Sequence, residues 1–232
     1  MSTVGEGASA AGAAPVVGEL VEAAHVLAGL GLVTAFGHVS VREGGSMLIT
    51  PPKELDLVVP GELIEVPLTA DALPAGTPPE AWGHLAVYRA RPDVTAVARA
   101  QPEAVLAAGA VTDRITPLHG QAAWLGASIP VHDDAQLLRS AERAEHAART
   151  LGASDALVLR GNGGITTGTA PGQAVARMWL LDAACRVHLA AHGAGPVTTL
   201  SPEEIAAWRT AAPLLLERLW AHLRRTAGAV PT

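Results

Sequence analysis

Residues 78–100 read PPEAWGHLAVYRARPDVTAVARA, and this stretch holds a helix, a stop and a strand in direct succession. The proline pair predicts a helix start, because the first helical turn loses no hydrogen bond to a residue without an N–H. Glu80 then falls near the positive end of the helix dipole. The helix is expected to run to about Arg91, where Pro92-Asp93 breaks it, since proline disfavours the α conformation in the residue before it. VTAVARA, residues 94–100, is β-branched and apolar and predicts a buried strand. Arg99 is the one charge inside it. PEAVLAAGA (102–110) restarts a helix with Pro102 at the front.

The segments on either side continue the alternation. Upstream, residues 1–14 are small and polar and predict a loose tail. PVVGELVEAAHVLAGLGLV carries Leu20, Ala24, Leu27 and Leu30 at helical spacing, and Gly29 and Gly31 can end that helix. Short strands are predicted at 47–50 and 62–66, separated by a turn at Pro60-Gly61. Downstream, ITPLHG and SIPVHD read as short extended pieces, and Asp133 or Asp134 as the N-cap of a helix over AQLLRSAERAEHAART. ALVLR (156–160) reads as a strand leading into the turn GNGG. A long helix from Pro171 to about His192 follows, with Trp179, Leu180 and Val187 on its apolar stripe and with His188 and His192 on its surface. A last helix opens at Ser201-Pro202-Glu203-Glu204 with a capping pattern. Strands interleaved with helices, without a composition shift or an internal repeat, predict one α/β domain over residues 15–228.

Composition narrows the function. With 232 residues, 49% of them hydrophobic and 16% charged, the chain can bury one large core. Lys+Arg of 16 against Asp+Glu of 22 gives a net charge of −6 without a basic run, which argues against nucleic-acid binding. The lone cysteine, Cys185, excludes an intrachain disulfide and a cysteine-based zinc cluster. Apolar runs fall short of a membrane span and the N-terminus lacks signal-peptide character, so a cytoplasmic location is expected. Lys53 is the single lysine among the 16 basic residues.

Five segments taken together resemble the class II aldolase and adducin-like family. They are GLVTAFGHVSVR, LITPP, PPEAWGHLAVYRARPDVTAV, LHGQAAWLG and ALVLRGNGGITTG. The resemblance covers roughly residues 16–195, and FGHVSVR is closer to the decarboxylase and hydroxy-acid branch than to the sugar-phosphate branch. It implies an α/β/α layered fold with a central, mainly antiparallel sheet. It also implies a symmetric homo-oligomer, usually a tetramer, with sites at subunit interfaces.

In that family three histidines and often a glutamate hold a divalent metal, usually zinc. Two form an H-x-H on the strand after RPDV, and the third lies in the turn after the later strand. Here those places read Arg99-Ala100-Gln101 and Gly161-Asn162-Gly163. Arginine repels a cation, and amide carbonyls are weak zinc ligands. No metal and no other cofactor is therefore expected. The serines that hold phosphate in sugar-phosphate members read Pro78-Pro79, so an unphosphorylated substrate is expected.

The remaining polar residues define the candidate site. Glu80 matches the family's general acid/base, and without a metal its pKa is expected to rise toward neutrality. His38 and His119 are the other proton-transfer candidates. Arg99 is the candidate electrophile, holding a carboxylate or a developing enolate where the metal would sit. Gln101, Asn162, Lys53 and His84 complete the expected substrate-binding set, His84 lying one helical turn after Glu80. Trp82 and Trp124 flank site segments and can wall a pocket. The expected function is a metal-independent lyase. It would act on a small unphosphorylated carbonyl or carboxylate compound through enolisation, by aldol-type chemistry, decarboxylation, dehydration or cyclisation. The alternative is a non-catalytic adducin-like scaffold or ligand-binding protein. An open cleft with inward-facing acid and histidines favours the enzyme, and a closed apolar plug favours the scaffold.

Overall fold

The computed structural model describes residues 7–228. Eight strands form one sheet: β1 (His38–Glu43), β2 (Ser46–Ile49), β3 (Ile64–Pro67), β4 (Ala96–Ala100), β5 (Arg114–Ile115), β6 (Ile129–His132), β7 (Ala156–Leu159) and β8 (Gly163–Gly168). Their order is β3-β2-β1-β4-β8-β7-β6-β5, and every neighbouring pair is antiparallel except β6 with β7. Six α-helices cover it: α1 (Gly7–Gly29), α2 (Ala81–Ala90), α3 (Glu103–Val111), α4 (Ala141–Leu151), α5 (Pro171–Ala194) and α6 (Pro202–Gly228).

The sheet divides two cores. Ala96, Ala98 and Ala100 of β4 face α1, α3, α5 and α6, whereas Val97 faces α2 and α4. Small alanines on one side let the long helix α5 approach the sheet closely. The period-2 alternation of a strand then fixes Arg99 on the same side as Val97, under α2. Across the ladder His38 is paired with Arg99, so the β1–β4 register alone brings these two side chains together. The expected α/β/α layering and mainly antiparallel sheet are both present.

Several expectations shift. Helix α1 begins at Gly7, inside the stretch expected to be a loose tail; residues 1–6 lie outside the described residues. Helix α2 begins at Ala81, three residues after Pro78, because the carbonyls of Pro78 and Pro79 accept from Ala81 and Trp82 in a turn that feeds it. Helix α4 begins at Ala141, with Ser140 Oγ accepting from Arg143 N, and neither Asp133 nor Asp134 caps it. Asp134 Oδ1 instead accepts from Gln136 N at 2.9 Å, a local turn that holds residues 135–139 out of the helix. On α5, Val187 is exposed and His188 buried, the reverse of the expectation. The capping box at Ser201 and Glu204 forms as read.

One turn sets the sheet's central geometry. Gly163 has φ +80°, and a Cβ there would collide with the Ala100 carbonyl oxygen. Only glycine lets the β7–β8 turn lie directly against the end of β4. That contact places Asn162 beside Arg99.

Candidate active site

Arg99 lies on the floor of a cleft of about 470 Å³ at the N-terminal end of α2. It is 4% exposed. Its Nη2 donates to Asn162 Oδ1 at 2.6 Å. With the Gln101 amide turned to donate to the Phe36 carbonyl, its oxygen accepts from Arg99 Nη1 at 2.7 Å. Both partners are neutral, and among the described residues Arg99 has no ion pair with a carboxylate. Its Nε, His38 Nδ1 and Asn162 Nδ2 are buried without a hydrogen-bond partner. Three such atoms at one locus mark a place where a ligand can complete the bonding.

Glu80 faces Arg99 from the residue preceding α2. It pairs with Arg139, whose Nε donates to Glu80 Oε1 at 2.8 Å. Burial alone would raise the Glu80 pKa. The Arg139 hydrogen bond, a backbone bond and the Arg99 charge outweigh it and hold the carboxyl below its ordinary value. The expected rise toward neutrality is thus corrected: the two guanidinia beside it keep Glu80 ionised at neutral pH. His38 lines the same cleft, and its pKa falls to about 4, first through burial and then through Arg99. It is a neutral imidazole in the physiological range.

The other expected site residues divide. Gln101, Asn162 and Lys53 line the cleft, and Lys53 Nζ sits 3.0 Å from Glu62 at the rim. His84 does not reach it. It is fully buried beneath His38, its Nδ1 2.7 Å from Ser40 Oγ, which also meets Tyr88 OH at 2.8 Å. The one-turn spacing from Glu80 is real, but β1 covers His84, which therefore pins α2 to the sheet. His119 opens a 3-10 turn, Gly120–Leu125, packed against α6, and is not part of this cleft. Trp82 and Trp124 lie in the two cores, and Phe36 supplies the aromatic wall instead. Arg139 and Leu137 were missed. They lie in the non-helical segment before α4, which the sequence read as helix.

A cleft of this shape, on this sheet, now has a family. Its profile, described as the Class II Aldolase and Adducin N-terminal domain, matches residues 18–189. The chain belongs to this family. It is similar to a 3,4-dihydroxyphthalate decarboxylase of Terrabacter sp. (strain DBF63), with 29% identity covering 87% of this chain and 92% of that one. A protein of the same name from Rhodococcus jostii (strain RHA1) is 27% identical over 75% of this chain and 79% of that one. In fold the chain is similar to the L-fuculose 1-phosphate aldolase of Glaciozyma antarctica PI12, with a TM-score of 0.79, 19% identity, and 98% and 95% of the two chains covered.

The donor set does not fit the metal of the aldolase resemblance. A guanidinium and two amides stand at the ligand places, and the amide oxygens are already engaged by Arg99. Among the described residues no group of three or more His, Cys, Asp or Glu side chains is arranged to hold a metal ion. No described helix is long and apolar enough to cross a membrane.

Proposed function

We propose that the chain is a lyase that decarboxylates a small, unphosphorylated hydroxy acid through an enolate, with Arg99 in the electrostatic role of a metal. The observation that carries this reading is a buried guanidinium on the floor of an open cleft, held by neutral groups and lacking a carboxylate partner. The decarboxylase names of two relatives support the reaction class. Phe36, Leu137, Pro52 and Pro79 give the cleft apolar walls suited to a flat ring.

Glu80, ionised and facing the floor, takes the proton of a substrate hydroxyl and delivers it to the carbon bearing the carboxylate. The C–C bond then breaks, CO2 leaves, and the electron pair passes to the newly formed carbonyl oxygen. Arg99 holds that oxygen as it becomes an enolate. The guanidinium stabilises the transition state more than the ground state, because negative charge moves from the departing carboxylate toward it. His38, neutral, offers a hydrogen bond without adding charge. Homo-oligomerisation is part of the proposal, supported by the exposed Val187 on α5 and Leu214 on α6.

The test is CO2 release from hydroxylated aromatic acids, 3,4-dihydroxyphthalate among them, by protein treated with a chelator. Turnover is expected to survive chelation and to collapse in Arg99→Met. Activity that vanishes with chelation and returns with zinc overturns the metal-free part. Full turnover in Arg99→Met overturns the rest.

A further inference from the structure

Two guanidinia face one carboxylate in this cleft, and they differ in every physical respect. Arg99 is locked into the sheet and is nearly inaccessible, with neutral partners on both amino groups. Arg139 stands on the segment between β6 and α4, outside any helix or strand, with its side chain 53% exposed. Among the described residues its single side-chain hydrogen bond is the one to Glu80. The neighbouring Leu137 is also exposed and lines the cleft mouth. Glu80 is the buried end of this pair and Arg139 the exposed one, so the water-facing Arg139 loses little by exchanging Glu80 for another anion. The third cation of the cleft, Lys53, already has its own rim partner in Glu62. Arg139 is thus the cleft cation both free to move and close to the reacting end.

We propose that Arg139 is the specificity-determining residue of the cleft: it leaves Glu80 to hold a second anionic group of the ligand, so that the site selects small dianions over monoanions. The inference rests on the reading of Arg99 as the anchor for the first anionic oxygen. A fork of two N–H groups on each arginine suits two carboxylates, or a carboxylate and an enolate oxygen, carried by one ring. Releasing Arg139 also unties Glu80 Oε1, so the ligand that Arg139 recognises is the one that frees the base. A monoanion seated on Arg99 leaves the Glu80–Arg139 pair closed.

Calorimetric titration with benzoate and with the three benzene dicarboxylates (phthalate, isophthalate and terephthalate) tests this on the full-length protein at fixed pH and ionic strength. At least one dicarboxylate is expected to bind tenfold or more tightly than benzoate. Arg139→Gln should bring that ratio to within about twofold of unity, and Arg139→Lys should keep part of it, since a point charge replaces the fork. Equal binding of all four probes by the wild type, or an unchanged ratio in Arg139→Gln, overturns the proposal. Failure of the underlying reading looks different: Arg99→Gln would then leave benzoate binding unaltered, or none of the four probes would bind at all.

Discussion

At two of the places where arginines meet carboxylates, the Asp155 cluster and the cleft, they do so in opposite ways. Around Asp155 three arginines converge, with Arg177 at 3.0 Å, Arg91 at 3.9 Å and Arg209 at 4.0 Å. There the most buried guanidinium, Arg177, takes the closest carboxylate oxygen and also donates to the Thr167 carbonyl. In the cleft the order is inverted. The more exposed Arg139 has the carboxylate, and the buried Arg99 has only amides. Burying a charge without a carboxylate in direct contact is expensive, and in the proposed reading a ligand supplies the contact that Glu80 gives to Arg139 instead. The Asp155 cluster supplies its own counter-charge, although Arg177 Nε, like Arg99 Nε, has no hydrogen-bond partner among the described residues; in the cleft the buried guanidinium has amides alone.

The sharpest break between the two regions comes from removing each buried cation. Arg99→Met should lower kcat/KM for the true substrate by about a thousandfold, in line with the loss of an oxyanion donor. Its melting temperature should hold or rise, since an unpaired buried charge is replaced by an apolar chain of similar length. A fall of several degrees with activity retained would mean that Arg99 is a structural residue like Arg177.

Acid should separate the regions next, because the cleft cation sits among neutral histidines. His38 has a folded pKa of about 4 against 6.5 unfolded. The unfolded chain therefore binds more protons between those values, and stability declines as pH drops from 6.5 toward 4. The contribution is ~3 kcal/mol, and His84, pushed down first by burial and then by His38 and Arg99, adds to it in the same direction. Denaturant titrations across this range should show His38→Gln losing stability more gently than the wild type. Identical slopes would remove His38 from the argument.

Arg177→Met should lower stability by about 2 kcal/mol, or roughly 5 °C in melting temperature, because Asp155 keeps only its two more distant arginines. Turnover per folded molecule should not change. At the small end, Lys53→Gln breaks an exposed pair with Glu62 and should leave the melting temperature within error at any salt concentration.

These contrasts were unequally legible in the sequence. Arg99 could be found as a charge within the apolar strand VTAVARA, whereas Gln101 and Asn162 stood out only through the resemblance, as the residues at the family's metal-ligand places. Lys53 and Glu80 likewise entered the candidate site through the resemblance. Arg139 could not be found, since it meets Glu80 across 59 residues and Asp134 diverts the chain from the helix that its composition favours. The local signal for it is Ser140, which caps α4 and leaves 135–139 outside the helix. His84 shows the converse error. Helical spacing gave its face correctly, but nothing local announces that β1 lies over that face. His119 lies away from the cleft for a similar reason, because the packing of α6 against its turn is a long-range fact.

The close approach at Gly163 has a practical consequence. Backbone lies on backbone there, so the floor cannot be lowered, tilted or widened by exchanging side chains. Attempts to redirect the protein toward other molecules should leave that foundation alone and vary Leu137 and Arg139 at the cleft wall, sparing Leu138 between them, which is buried in the core with α2 and α4.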